Sequence, residues 1–179
     1  MLSLFTATLS LGLFLMAIGI FFVVHRRSWQ EFAIGIGRSK WATIVLFGSA
    51  LAWFLWIVAH LGEGDFGEYR QWLFLLFGAV GLAAFWYVPD FLAIRGLASL
   101  ILLGSYEFLM AAYMEAPESR LFMVSAVYVL IVIALFLGAL PYLWRDGLNW
   151  LFARKPISQS LGVLCAAYGV LLIGISFNY

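Results

Sequence analysis

Runs of about 20 consecutive apolar residues recur along this chain, and that feature decides the solvent it folds in. A helix of that length crosses the hydrocarbon of a bilayer, where each backbone N–H and C=O must be bonded within its own segment. Of 179 residues, 65% are hydrophobic and 11% charged; an ordinary soluble domain carries about a quarter charged. The polar surface that a water-facing domain of this size needs is missing. The expectation is an all-α polytopic membrane protein, with residues 1–179 forming a single transmembrane domain in direct contact with the lipid bilayer. The net charge of +1 offers no field for nucleic acid, which is excluded as a partner.

Six spans are read, at about 2–24, 41–61, 71–88, 92–114, 121–141 and 160–177. The joints are charged or carry Gly and Pro. Pro89 sets a tight turn that makes spans three and four antiparallel neighbours. The opening stretch, MLSLFTATLSLGLFLMAIGIFFVVHRR, has its arginines after the apolar run and none before it, so it reads as a retained span rather than a cleaved signal. The stretch SWQEFAIGIG reads as a segment lying flat on the membrane surface.

Lys and Arg counts orient the spans. Arg26, Arg27, Arg38, Lys40, Arg95, Arg145, Arg154 and Lys155 fall on one side, and Arg70 and Arg120 on the other. The basic side is read as cytoplasmic, which puts both termini outside. Trp29, Trp41, Trp86, Trp144 and Trp150 then lie at the inner interface and Trp72 at the outer one. Trp53 and Trp56 lie deeper and read as packing residues. Close helix contacts need small residues, and four pairs qualify: Gly48 with Ala52, Ala79 with Ala83, Ala134 with Gly138, and Gly162 with Ala166.

A carboxylate stands out against this background. Glu107 lies near the middle of the fourth span, where an ionised side chain costs about 3 kcal/mol or more. It is expected to face the other helices and to hydrogen-bond a group at similar depth, with Tyr128 and Ser10 the nearest in level. It is either a proton or cation site or a structural hydrogen bond between helices. A weaker constellation is HLGEGDFGEY, in which His60, Glu63, Asp65 and Glu68 could offer ligands to a divalent metal. The spacing matches no ligand motif, and a solvated acidic loop is the simpler reading, so no metal and no cofactor is assigned. His25 and His60 fall at opposite faces, which rules out joint haem ligation and leaves no Ser-His-Asp set. Cys165 is alone and reads as a packing residue. Asp90 and Asp146, at basic turns, read as helix caps or as ion-pair partners of Arg95 and Arg145.

A shift of 56 residues lays Gly48-Ser49 on Gly104-Ser105 and Asp90 on Asp146. Three repeated antiparallel hairpins, each linked on the cytoplasmic side, would give that pattern; so would the shared composition of any membrane hairpin. The third copy, residues 141–174, PYLWRDGLNWLFARKPISQSLGVLCAAYGVLLIG, resembles the hairpin of an uncharacterised family of small two-helix bacterial inner-membrane proteins. The likeness rests on the Pro, the Trp-Arg turn, the Arg-containing link and the Gly-rich helix. It implies a cell membrane location, the inner membrane in a Gram-negative cell, and carries over no established activity.

Short loops and the lack of a catalytic set point to a non-enzymatic accessory or scaffold subunit that packs against other membrane proteins. The alternative is a small transporter or channel using Glu107. The orientation is tested with Ser28→Cys, Gly64→Cys and Gly147→Cys, each on a Cys165→Ala background. Impermeant thiol reagents applied to intact cells should label only the residue-64 cysteine. Labelling at 28 or 147 instead inverts the topology.

Overall fold

A computed structural model describes residues 2–88 and 90–179, apart from the side chain of Glu63. Among the described residues the chain is all-helical, with eight helices: α1 (Leu4–Val24), α2 (Arg27–Ile36), α3 (Lys40–Ala59), α4 (Arg70–Tyr87), α5 (Leu92–Ala112), α6 (Arg120–Ala139), α7 (Tyr142–Ala153) and α8 (Lys155–Ser176). Five of them, α1, α3, α5, α6 and α8, are long and apolar enough to cross a membrane, an arrangement compatible with a multi-pass membrane protein. Helix α4 has 18 residues. Arg70 and Gln71 at its start and Trp86 and Tyr87 at its end shorten its apolar stretch.

Local chemistry sets the helix starts. Ser3 and Ser39 accept from the backbone N–H of Thr6 and Ala42 and so cap α1 and α3. Pro156 sits in the first turn of α8, where its missing N–H has no partner to lose and its fixed φ suits a helix. The last span therefore starts at Lys155, five residues before the position expected from hydropathy.

Helices α2 and α7 are short and amphipathic. On α7, Trp144, Leu148 and Phe152 recur at helical spacing along one face. That face packs on α2, where Leu148 and Phe152 meet Ala33. The indole N–H of Trp144 donates to the Ala33 carbonyl at 2.8 Å, one of the C-terminal carbonyls that α2 itself leaves unpaired. The Gln30 amide donates to Asn149 at 3.1 Å. Together α2 and α7 lie over one end of the bundle, the end that carries the basic loops. The flat segment expected over SWQEFAIGIG is thus a helix, and α7 is a second one inside the stretch read as a loop.

The long helices pack in an order the loops do not dictate. The most extensive contact is α1 against α8, followed by α3 against α5, α5 against α6, and α3 against α4. The three loop-linked pairs, α1 with α3, α4 with α5 and α6 with α8, are not extensively packed. Three repeated hairpins are therefore not the packing units, and α4 lies beside α3 rather than beside α5. Pro89, whose turn was expected to pair α4 with α5, is outside the described residues. The offset match is local: Ser49 and Ser105 each donate to the carbonyl four residues back, at 2.6 and 2.7 Å, but Ser105 is buried and Ser49 is exposed.

Helices α1 and α8 run antiparallel with Gly12 opposite Gly169 and Gly19 opposite Gly162. A Cβ on Gly169 would stand 2.6 Å from the Gly12 carbonyl oxygen, and one on Gly19 would stand 2.6 Å from that of Gly162. Only glycine permits this approach. Of the four small-residue pairs read from the sequence, Gly162 with Ala166 faces Gly19, and Gly138 of the Ala134 pair faces Ala98 of α5. Gly48 has open space around it, and Ala79 is exposed. The core between α1, α5, α6 and α8 is built from Leu4, Ala7, Leu11, Ala111, Met123, Val127 and Leu172. Thr8, fully buried there, donates to the Met123 sulfur at 3.4 Å.

Candidate functional site

The two clusters of polar chemistry lie at different levels, one on α5 and one under the α2–α7 lid. Glu107 is half-buried on α5, and neither of its expected partners reaches it. The Ser10 hydroxyl donates to the Ala7 carbonyl on its own helix at 3.0 Å. Tyr128 is 57% exposed on the outer surface of α6. Position along an apolar run fixes the level of these three residues and not the direction in which each helix faces. Among the described residues Glu107 has no hydrogen-bond or ion-pair partner. Gly104, one turn back on the same face, has nothing within 4 Å of where its Cβ would be. Glu107 thus stands beside a notch on α5 that no other described residue fills.

The second cluster was missed from the sequence. Helix α1 ends at Val24, and His25 follows in the left-handed conformation at φ 48°, leaving the last carbonyls of α1 unpaired. The first turn of α8 supplies their partners. Ser158, fully buried, donates its hydroxyl to the Phe22 carbonyl at 3.2 Å, and the Gln159 amide donates to the Val23 carbonyl at 3.3 Å. The His25 Nδ1 lies 3.1 Å from the same hydroxyl oxygen. Its ring stacks on Phe152 of α7 with centroids 4.8 Å apart. The Ser158 hydroxyl oxygen is thus within reach of both the Phe22 carbonyl and the His25 ring nitrogen. The pair therefore acts as a cap joining α1, α7 and α8. The signals in the sequence were a histidine closing a long apolar run and a serine two residues after a first-turn proline.

At the opposite end, the loop after α3 forms two short 3₁₀ turns, Glu63–Asp65 and Gly67–Tyr69. The His60 Nδ1 donates to the Trp56 carbonyl at 2.7 Å. Asp65 and Glu68 are exposed, and the Glu63 side chain is outside the described residues. No group of three His, Cys, Asp or Glu among the described residues is placed to hold a metal ion. Trp56 is 61% exposed, so it faces outward and is not the interior packing residue expected. Asp146 pairs with Arg145 at 2.8 Å and pushes its guanidinium pKa up through that hydrogen bond. Asp90 is exposed and takes part in no ion pair among the described residues.

Comparison with protein-family models, curated proteins and solved structures finds no match to this chain.

The cap has a measurable consequence. Ser158→Ala leaves the Phe22 carbonyl without its donor in a buried setting and should lower stability in detergent by about 1–3 kcal/mol. Ser160→Ala, at an exposed hydroxyl that bonds only the Pro156 carbonyl of its own helix, should stay within about 0.5 kcal/mol of the parent. Equal unfolding midpoints for the two variants would remove the capping role.

Proposed function

We propose that this chain is a six-span accessory or scaffold subunit of a cell membrane complex and is not itself an enzyme. Its basic end faces the cytoplasm and both termini face outward. The observation that carries the reading is Glu107 without a hydrogen-bond or ion-pair partner among the described residues. A carboxylate at that level of a membrane helix is costly unless it meets a donor. The neighbouring notch at Gly104 is the kind of surface on which a second helix approaches closely. A transmembrane helix of another protein that brings a donor to Glu107 fills both.

Three further facts support the placement. Eight of the ten Lys and Arg residues are Arg26, Arg27, Arg38, Lys40, Arg95, Arg145, Arg154 and Lys155, all on the lid side, as the positive-inside rule requires of a cytoplasmic face. Helix α4, at 18 residues, reaches about 27 Å at 1.5 Å per residue, close to the hydrocarbon thickness of about 30 Å, and completes a sixth span. Its only buried residue is Gly81, so nearly all of its apolar surface is free for lipid or for a neighbour.

The test is purification in mild detergent from membranes of the native host, comparing the parent with Glu107→Leu and with Tyr106→Phe, a change on an exposed side chain of the same helix. The expected result is a stoichiometric integral membrane partner held by the parent and by Tyr106→Phe and lost from Glu107→Leu. An unchanged set of companions in Glu107→Leu removes the reading. If Glu107→Gln instead abolishes proton or cation flux in reconstituted vesicles while the companions stay the same, the transporter alternative takes its place.

A further inference from the structure

A recess of about 630 Å³ opens at the basic end of the bundle, between the start of α3, the end of α4 and the start of α5. That volume lies within the range of about 300–1,000 Å³ typical of small-molecule sites. Its lining divides by chemistry. Arg38, Lys40 and Asp90 form the mouth, and Ile44, Phe85 and Phe91 form the apolar wall. The wall is held in place. Phe85 packs edge-to-face on Phe47 at 5.3 Å, and a Cβ on Gly37 would stand 3.2 Å from the Phe91 ring, so the α2–α3 loop that carries Arg38 is seated directly on α5.

The cations at the mouth are available. Arg27 is paired with Glu31, Arg145 with Asp146, and Arg154 lies over the Trp150 ring at 4.8 Å. Arg38 and Lys40 take part in no ion pair among the described residues. The exposed Trp41 and Trp86 flank this level, the position at which tryptophans sit in the headgroup layer. A ligand that fits has a phosphate at the interface and a hydrocarbon tail below it. Two cations and one carboxylate leave the mouth with one net positive charge, the complement of a headgroup with one net negative charge. Asp90, exposed at the mouth, can accept from a headgroup hydroxyl, which a choline group does not offer.

We infer that this recess binds one anionic glycerophospholipid of the cytoplasmic leaflet, of the phosphatidylglycerol kind. Its phosphate lies on Arg38 and Lys40, a headgroup hydroxyl donates to Asp90, and an acyl chain runs along Ile44 and Phe85. Basic recesses between membrane helices on the cytoplasmic side hold anionic headgroups in this way. The inference rests on the membrane placement proposed above.

Native mass spectrometry of the full chain in mild detergent tests it, with phosphatidylglycerol, phosphatidylcholine and inorganic phosphate titrated separately. The expected result is one retained phosphatidylglycerol per chain, with no comparable retention of the other two. The double variant Arg38→Gln/Lys40→Gln should bind it about thirtyfold more weakly. Ile44→Trp, at an exposed position, should block the acyl groove with both charges in place. Arg26→Gln/Arg27→Gln, away from the recess, should bind as the parent does. Equal weakening by the two arginine-containing double variants, equal retention of phosphatidylcholine, or binding of inorganic phosphate as tight as that of the lipid would overturn the site. Carbonate extraction separates the two readings. A chain released by carbonate ends the membrane placement and this site with it, while a chain that stays in the membrane without preferring phosphatidylglycerol ends this site alone.

Discussion

Contact between the backbones of α1 and α8 is the interaction on which the rest of the packing depends. Where lipid is the solvent, apolar side chains gain little by leaving it for one another, so helices associate through close packing. Gly12 and Gly19 on one helix meet Gly169 and Gly162 on the other, each pair with its Cα hydrogens turned toward the opposite carbonyl oxygen. Reciprocal Cα–H···O contacts of this kind are individually weak, at about 0.5–1 kcal/mol. Four of them along one seam also allow dispersion contact over its whole length. A single methyl group at any of the four positions would have to overlap backbone, which does not move aside as a side-chain tip would.

The lid of α2 and α7 follows from that seam. Antiparallel packing brings the end of α1 to the start of α8, which puts Ser158 and Gln159 under the open carbonyls of Phe22 and Val23. With those ends tied, α2 leaves α1 beside α7 arriving at α8, and the two amphipathic helices cover each other through Ala33, Leu148 and Phe152. Further out, Gly96 lets α5 reach the backbone of α3 at Phe47, and Gly81 lets α4 reach Leu51. The bundle therefore thins from a closed core at α1, α5, α6 and α8 to a single exposed helix at α4. Half-buried Glu107 has no hydrogen-bond partner among the described residues, and Gly104 one turn away has open space beside it.

Much of this organisation was legible in the sequence, and the division has a physical cause. Apolar run length marks helices because lipid leaves no other backbone structure, so the long helices fell within a few residues of their expected positions. Helix α8 was the exception, because Pro156 read as a loop although a first-turn proline suits a helix. Partner choice was not legible, since a loop fixes which helix ends are near and not which faces meet. That is why the hairpins expected from the 56-residue offset are not packed, and why Tyr128 and Ser10 share a level with Glu107 without touching it. The decisive signal was present but unused: glycines seven apart on both α1 and α8. A four-residue spacing of small residues marks Gly162 with Ala166 but equally marks the uncovered pair at Gly48.

The most direct measurement is a double-mutant cycle of thermal stability in detergent on Gly12→Ala and Gly169→Ala, with Gly104→Ala and Gly174→Ala as controls at positions that have open space. Each seam variant should lose about 1–3 kcal/mol. The double variant should lose less than their sum by about 0.5 kcal/mol or more, because one methyl group already parts the helices that the second would strain. The controls should be unchanged or slightly more stable, since alanine is the better helix former. Seam variants as stable as the controls, or strictly additive losses, would contradict the account.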